Sequence, residues 1–349
     1  MPGRGLTVSH SDEDAPDIGS VLTDEDASAS ETQSVFEITS DVELTRQERA
    51  RVFVDEVFIA PVKVLWNDYR ARVGGFILLA YLFMGAVGVR IVEEPYAGQG
   101  EMLLQPMENG FLLGTDQTGQ SIAAGIVYST PSILKMITAG AVFATLMAVI
   151  WGVVAGYKGG IYDRLMMTVV DVVMTIPGLP LIVVLATIWK PGNPYLVGIL
   201  LSITAWAGLA RALRSQVLTL REESYVEASR ILGMRNRTIM FKDILPNLMP
   251  YIMVNFVKSA RSVIFSAVGL YFLGILPFTS LNWGVMMNLA YKQGALFNPE
   301  LAHWFIIPTV TVVIFSLGLI LFGQGMDRLF NPRIRARHAK HTPDDEEEI

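Results

Sequence analysis

The chemically unusual residues of this sequence are cations inside an apolar stretch. Residues 251–276 read YIMVNFVKSARSVIFSAVGLYFLGIL and contain Lys258 and Arg261. A helix would also align four small polar residues of this stretch on one face: Asn255, Ser259, Ser262 and Ser266. A cation inside a bilayer costs about 2.5–3.5 kcal/mol on insertion scales, so it usually has a function or a partner.

Three interpretations of Lys258 and Arg261 are open from the sequence. The two side chains could line a translocation path and favour an anionic group, such as a peptide carboxylate. The helix could instead extend beyond the bilayer, so that both side chains reach the surface. They could also pair with Asp171 of another apolar stretch. If Pro250 marks the inner surface, a rise of 1.5 Å per residue puts Arg261 about 16 Å deep, near mid-bilayer.

A second chemically distinct segment is polar and basic, although it lies between apolar stretches. Residues 225–247 read YVEASRILGMRNRTIMFKDILPN. Strong helix formers without an internal proline predict a first helix, which Gly233 could end as a cap. A second helical piece, NRTIMFKDIL, is expected to stop before Pro246. The pattern predicts two short helices that form a compact knob beside the bilayer.

Several classes of chemistry are absent from the sequence. It has no cysteine, which excludes disulfides and thiolate metal sites. It lacks Gly-x-x-x-x-Gly-Lys-Ser/Thr, so nothing would cradle nucleotide phosphates, and it lacks His-Glu-x-x-His and Gly-x-Ser-x-Gly. The histidines lie in predicted tails or a loop: His10, His303, His338 and His341. We expect no catalytic, metal-binding or cofactor-binding residue on this chain.

The elements that position these residues are predicted to be membrane helices. Apolar residues make up 52% of the chain and charged residues 17%, with the charges clustered between long apolar runs. The third span should be kinked or broken at Pro177 and Pro180. The fold class is therefore all-α, a polytopic membrane protein with about six transmembrane helices. The six candidate spans are Gly74–Val92, Lys135–Gly156, Tyr162–Trp189, Tyr195–Leu213, Tyr251–Leu276 and Trp304–Gly323.

The charge pattern divides the chain and orients it. Residues 1–43 form an acidic segment that we expect to be a disordered cytoplasmic extension, and residues 44–73 are amphipathic, as in interfacial helices. A transmembrane domain at 74–325 follows, with a basic loop at 218–247, and residues 326–349 form a tail. Lys and Arg concentrate in that loop and that tail, which predicts a cell-membrane protein with both termini in the cytoplasm.

The basic loop resembles the Glu-Ala-Ala loop of permeases in the ATP-binding cassette importers. Ser229 replaces the second Ala, and Asp243 stands where relatives usually have Ile or His. The resemblance implies that the first helix of the loop, the coupling helix, sits in a cleft of an ATPase subunit. Small residues would allow close approach, Glu227 would offer a charge-assisted hydrogen bond, and Gly233 would permit a tight turn. The residues that match in type and spacing are Glu227, Ala228, Ser229, Gly233, Leu245 and Pro246.

A second resemblance narrows the class. LLGTDQTGQSI is similar to the Gly-Thr-Asp-x-x-Gly-Arg-Asp element of dipeptide, oligopeptide and nickel importers, although Gln120 and Ser121 depart from its Arg and Asp. Further similarities extend from about residue 74 to 337, in the order of the second, C-type, permease of the pair. The element's matching residues are Gly114, Thr115, Asp116 and Gly119.

The resemblance implies an importer-type (type I) permease fold and a set of partners. These are a second homologous permease, two ATP-binding cassette ATPases that carry ATP and magnesium, an extracytoplasmic solute-binding protein and the lipid bilayer, without nucleic acid. Cargo would be di- or oligopeptides, nickel chelates or related solutes. The alternative is an ion-coupled secondary transporter that uses Asp171, Lys258 and Arg261, and such a protein should show internal repeats.

Overall fold

The computed structural model describes residue 66 and residues 68–329. The predictions for segment 1–43 lie outside these residues, as do most of those for segments 44–73 and 326–349. Within the described part the chain is helical, and its only β-structure is two isolated bridges, Glu108 with Phe111 and Thr115 with Ser121. This confirms the all-α fold class.

The helices are numbered in chain order. The first half of the described chain contains α1 (Tyr69–Phe83), a π-turn (Met84–Gly88), α2 (Val89–Ile91), α3 (Ile122–Lys158), α4 (Gly160–Thr175), α5 (Gly178–Trp189) and α6 (Pro194–Leu201). The second half contains α7 (Trp206–Leu220), α8 (Ser224–Ile231), α9 (Asn236–Ile239), a π-turn (Met240–Ile244), α10 (Leu245–Phe272), α11 (Trp283–Lys292) and α12 (Ala302–Leu329).

Length and composition allow up to six membrane crossings. Four continuous stretches are long and apolar enough alone: 69–91, 122–158, 236–272 and 302–326. Two further crossings arise if each bent helix pair is one span. The pair α4 and α5 is bent by 81°, which confirms the predicted break in the third span. Ile176 is extended before Pro177, as the residue preceding a proline prefers, and Pro177 then begins α5 as its N-cap.

The fourth span differs from its prediction as one helix. It is divided into α6 and α7, which are bent by 59°. In the connecting turn, the N–H of Ile203 donates to the carbonyl of Leu200, and that of Ala205 donates to Ser202. These i→i+3 bonds tighten the chain and redirect its axis without the proline that marks the break in the third span.

Two predicted boundaries are wrong. Helix α3 begins at Ile122, where the side chain of Ser121 accepts from the N–H of Ala124, so Pro131 lies inside a helix rather than in a loop. The predicted stop before Pro246 is also wrong, because the helical path runs from Asn236 to Phe272 through the π-turn. Pro246 follows directly after Leu245, whose N–H donates to the carbonyl of Met240 five residues back, so the proline sits at the end of the π-turn and the helix continues past it.

Helix α3 is the central element, and it packs against α6, α7 and α10. Glycine backbones permit this closeness: a Cβ on Gly198 would lie 2.1 Å from the carbonyl oxygen of Met136, and one on Gly152 would lie 2.5 Å from that of Ala210. Small residues at such contacts let membrane helices approach. On α3 they recur every fourth residue, all buried: Gly140, Ala144, Ala148, Gly152 and Gly156.

The outward faces of several helices are apolar. Those of α1 and α12 carry exposed large side chains, among them Phe76, Leu79, Leu82, Ile306, Val310 and Val313. Such faces suit lipid or another membrane helix, since a water-soluble surface would not expose so large an apolar area. The end of the helices that carries residues 218–247 is called the loop side below, and the end that carries residues 92–121 is called the far side.

Candidate functional site

The loop at residues 218–247, called the coupling loop below, is compactly folded around a helix cap. Helix α8 ends at Ile231, and Gly233 follows with φ of +72°. The N–H of Gly233 donates to the carbonyl of Arg230 at 2.9 Å, and that of Met234 donates to Ser229 at 3.1 Å. This pair of bonds is a Schellman motif, so the cap that the sequence predicts at Gly233 is present.

Helix α8 has one anchored face and one free face. Val226 is fully buried, in a cluster that includes Ile239, Ile244 and Leu248. Glu227 and Ala228 are exposed, Ser229 is half-buried, and Ile231 and Leu232 are 80% and 79% exposed. Two adjacent large apolar side chains so fully exposed on a rigid helix end suit a protein partner.

Tyr157, which the sequence analysis missed, connects the coupling loop to the end of α3. Its hydroxyl donates to the Asn236 side chain at 3.4 Å, and the guanidinium of Arg230 lies 5.5 Å from its ring centroid. Arg221 adds a bond of 3.2 Å to the carbonyl of Gly156. No sequence pattern distinguishes Tyr157, because it is one aromatic residue within an apolar run.

The second helical piece of the loop is also fixed to α8. The hydroxyl of Tyr225 accepts from the side chain of Asn247 at 3.2 Å. Burial, followed by the charges of Glu223 and Asp243, raises the pKa of Tyr225, so its hydroxyl stays protonated at neutral pH. One oxygen of Asp243 is buried and lacks a hydrogen-bond donor among the described residues. Leu245 is half-buried and Pro246 is exposed at the start of α10.

Two ion pairs join α4 to α7, directly before the coupling loop. Arg214 bonds Asp163 through both guanidinium nitrogens, at 2.8 and 2.5 Å. Arg211 pairs with Asp171. The proposed pairing of Asp171 with Lys258 or Arg261 is therefore wrong. Arg211 of the adjacent helix α7 supplies the partner instead.

One face of α10 is polar over several turns. Lys258, Arg261 and Ser262 are exposed, while Asn255, Ser259 and Ser266 are half-buried. Asn255 donates to the carbonyl of Tyr251 at 2.7 Å. Neither Lys258 nor Arg261 has an ion pair or a side-chain hydrogen bond with residues 68–326. The four polar positions at helical spacing do share an outward side, as the sequence indicates.

Contacts with α12 place Lys258 near the loop side. A Cβ on Gly323 would lie 3.1 Å from Val257, and one on Gly325 would lie 2.4 Å from Ala71, in the first turn of α1. Arg70 also donates to Gln324 at 3.3 Å. Lys258 is thus level with the start of α1, and Arg261 is about one turn further in. The mid-bilayer position inferred from Pro250 stays a prediction, although the helical path begins before that proline, at Asn236.

Lys135 is a further cation that the sequence analysis overlooked. The sequence predicts that Lys135 begins the second span. Helix α3 starts at Ile122 instead, so Lys135 lies about 20 Å along the helix. Its side chain is exposed and has no ion pair among the described residues. Ser121, a standard N-cap residue before the apolar run, is the sequence signal for this earlier helix start and therefore for the position of Lys135 inside the helix.

The loop at residues 92–121 on the far side is held together by the four residues that match the Gly-Thr-Asp-x-x-Gly element, Gly114, Thr115, Asp116 and Gly119. Thr115 is fully buried, accepts from the N–H of Leu104 at 2.9 Å and donates to the carbonyl of Glu101 at 2.6 Å. Asp116 accepts from the N–H groups of Thr118 and Gln120. Gly114 and Gly119 both have positive φ, and a Cβ on either would lie 2.3 Å from a carbonyl oxygen. The element is therefore a loop scaffold that leads into α3.

Within residues 68–326, no three or more His, Asp or Glu side chains are grouped to hold a metal ion. His303 lies in the first turn of α12 rather than in a loop, and its Nδ1 is 3.0 Å from the carbonyl oxygen of Glu300.

The family model described as the binding-protein-dependent transport system inner membrane component matches residues 148–336. The matched region includes the coupling loop and the polar face of α10. The chain belongs to this family of membrane permeases. The family confirms the importer-type permease class over the alternative of an ion-coupled secondary transporter.

Curated relatives cover most of the chain. The dipeptide transport system permease protein DppC of Bacillus subtilis is 31% identical over 272 residues, which are 76% of this chain and 82% of the relative. The oligopeptide permease protein OppC of the same organism is 30% identical over 78% of this chain and 90% of the relative. The di/tripeptide permease protein DppC of Pseudomonas aeruginosa is 28% identical over 80% and 94%.

A solved structure, the inward-facing MetNI methionine ABC transporter, is similar at 16% identity with a TM-score of 0.42. The similarity covers 56% of this chain and 93% of that chain.

Proposed function

We propose that this chain is the C-type permease subunit of an ATP-driven importer of di- or oligopeptides. It would form half of the translocation pathway in the cell membrane, beside a second homologous permease. Two ATPase subunits, which carry ATP and magnesium, and an extracytoplasmic binding protein would complete the complex. The relatives whose names specify dipeptides, oligopeptides and di/tripeptides support the cargo class.

The observation that carries the proposal is the division of helix α8 into two faces. Val226 holds the helix to the core, while Glu227, Ile231 and Leu232 point away from it. The ties of Arg230 and Asn236 to Tyr157 link that helix to the end of α3. A push on the free face would therefore reach the longest membrane helix directly. ATPase closure supplies such a push if α8 is the coupling helix.

The proposal assigns the loop side to the cytoplasm and residues 92–121 to the opposite compartment. The cations at the loop side support this orientation, because cytoplasmic loops of membrane proteins are enriched in Lys and Arg. Both termini would then be cytoplasmic. Asp171 and the polar face of α10 are the candidate lining of the pathway, because water or cargo tolerates a charged or hydroxyl-bearing face that lipid would not.

The test is a double substitution of the two exposed apolar residues, Ile231→Ser with Leu232→Ser. Purified with its partners, this variant should keep the second permease and lose the ATPase subunits, with cargo-stimulated ATP hydrolysis falling at least 10-fold. The matched control is Leu296→Ser with Phe297→Ser, a pair that is 51% and 85% exposed at the far side. The control complex should stay intact.

Two results would contradict the proposal. One is a double variant that retains the ATPase subunits and full activity. The other is uptake by vesicles that contain this chain but no ATP, which would indicate a transporter driven by an ion gradient.

A further inference from the structure

The exposed face of α10 differs chemically from those of α1 and α12. Its neighbours expose Phe, Leu, Ile and Val, whereas α10 presents amide, hydroxyl and cationic groups beside an exposed aromatic side chain, Phe265. A helix face in contact with lipid would leave those groups unsatisfied, at a cost that the apolar faces avoid. This face, called the polar face below, comprises Asn255, Lys258, Ser259, Arg261, Ser262 and Ser266.

The two cations of the polar face line a cleft between α10 and α12. This cleft has a volume of about 140 Å³, and its other walls include Val257, Leu319 and Gln324. Lys258 and Arg261 are three residues apart, so they are neighbours on the helix and repel each other. No carboxylate of residues 68–326 forms an ion pair with either one. The cleft thus has two cations and an amide, and an anion would relieve the repulsion.

We infer that Lys258 and Arg261 bind one carboxylate of the cargo at the loop-side end of the polar face. The inference rests on the proposed function, because it requires cargo to pass along α10. A guanidinium binds a carboxylate through two parallel hydrogen bonds, and an ammonium adds a point charge. Together they favour a peptide with a free C-terminal carboxylate over the same peptide with a neutral terminus.

The order of residues along α10 gives the site a position in the path. Towards the far side, Ser262 and Ser266 offer neutral hydroxyls, and towards the loop side the cations follow. Cargo moving from the far side would meet hydroxyl groups before it meets the positive charges. The cations therefore act late in passage, near the exit, and they select cargo after the binding protein has released it.

The absence of cysteine allows a direct test of this electrostatic field. Ser262→Cys places a unique thiol on this chain, one residue from Arg261. In a complex with cysteine-free partners, its labelling rates are compared for two thiosulfonate reagents of similar size, one anionic and one cationic. The anionic-to-cationic rate ratio should fall roughly 10-fold when Lys258→Met and Arg261→Gln are added, since a local field changes encounter rates by 10-fold or more.

Cargo is then tested with a matched pair, Ala-Ala and its C-terminal amide. Ala-Ala should slow labelling of the Ser262→Cys thiol, and its amide should not. In uptake, the preference for Ala-Ala over the amide should fall at least threefold in the Lys258→Met, Arg261→Gln complex. The charge-preserving Lys258→Arg, Arg261→Lys complex should keep it. Arg90→Gln, which removes an exposed cation of α2 at the far side, is the matched control.

The outcomes separate this inference from the proposed function. Peptide uptake with an unchanged carboxylate preference and an unchanged rate ratio overturns the carboxylate site and leaves the permease function standing. A charge-dependent rate ratio in a complex that imports no peptide overturns the cargo class instead. Labelling of the Ser262→Cys thiol is also compared in vesicles with and without anionic lipid. Labelling that this lipid slows and Ala-Ala does not slow overturns cargo binding and indicates a lipid headgroup site.

Discussion

The guanidinium of Arg214 donates two hydrogen bonds, of 2.8 and 2.5 Å, to the carboxylate of Asp163 across the contact between α7 and α4. The two side chains are 33% and 18% exposed, so the pair is partly shielded from solvent. Arg214 lies in the last two turns of α7, shortly before the coupling loop begins at residue 218. The pair therefore fixes the helix that feeds the loop against the helix that follows α3.

Breaking this pair should loosen the base of the coupling loop. Asp163→Asn removes the charge and one acceptor, and bonds to charged groups contribute about 1.5–3 kcal/mol. We expect a loss of that size in the free energy of unfolding, together with weaker stimulation of ATP hydrolysis by cargo. Equilibrium unfolding in detergent measures the first, and hydrolysis by the reconstituted complex measures the second.

A double-mutant cycle with Arg214→Gln provides the control for Asp163→Asn. If the two residues act through each other, the double variant should be little worse than either single variant. Additive losses would show that Asp163 and Arg214 act separately and would contradict the pairing.

Substitution of Gly233 should destabilise the end of α8 because of the backbone conformation at this position. A Cβ there would meet nothing within 4 Å, yet the positive φ costs an L-residue about 1–2 kcal/mol. Gly233→Ala should therefore fray the end of α8 and reduce coupled transport. Hydrogen exchange of the amides in α8 should rise, which mass spectrometry can detect.

Asparagine tolerates this conformation, so Gly233→Asn should restore most of the lost coupling. Gly208→Ala is the matched control, because that glycine lies inside α7 with open space and an ordinary helical conformation. Equal exchange in the Ala variant and the unaltered chain would show that the cap does not order α8.

The helix class and the cap were predictable because they depend on local patterns. Apolar runs separated by charge clusters indicate membrane helices, and the glycine after a run of helix formers indicates a cap. Pro177 marked a break in the third span for the same reason, since a proline excludes one backbone hydrogen bond wherever it lies.

The misjudged features depend on packing between distant segments. The break between α6 and α7 has no proline, and Ser202 at this break lies against Gly140, 62 positions earlier, where a Cβ would be 2.7 Å from the Ser202 Oγ. Asp171 could have paired with any cation, and only the packing of α4 on α7 selects Arg211. The level of Arg261 relative to α1 likewise follows from packing, because the contacts of Val257 and Ala71 with α12 set it.

The hydroxyl of Thr115 should contribute more to the stability of residues 92–121 than the volume of its side chain does. Thr115→Val keeps the shape but leaves the N–H of Leu104 and the carbonyl of Glu101 without this partner, a loss of about 1–3 kcal/mol. Residues 92–121 should become more sensitive to limited proteolysis from the far side. Thr118→Val, at an exposed hydroxyl, should change stability by less than about 0.5 kcal/mol. Equal sensitivity of the two variants would contradict a scaffold role.

Lys135 should be needed for transport rather than for stability. An exposed cation this far along a membrane helix lowers stability and is therefore expected only where transport requires it, so Lys135→Met should leave thermal stability unchanged or raise it. Uptake of peptide by the reconstituted complex should nevertheless fall several-fold. Lys292→Met at the end of α11 is the matched control. Full uptake by the Lys135→Met complex would show that this residue only meets solvent or a headgroup.

The close contact of α6 with α3 should be the most sensitive packing point. Gly198→Ala would bring a methyl group within 2.1 Å of the Met136 carbonyl oxygen, and a backbone atom cannot move away as a flexible side chain could. Overpacking of this kind costs about 1–3 kcal/mol, so the thermal midpoint in detergent should fall by several degrees. Gly269→Ala in α10, where a Cβ meets nothing within 4 Å, should leave the midpoint unchanged or raise it. If both variants unfold at the same temperature, α6 does not pack on α3 at the distance described.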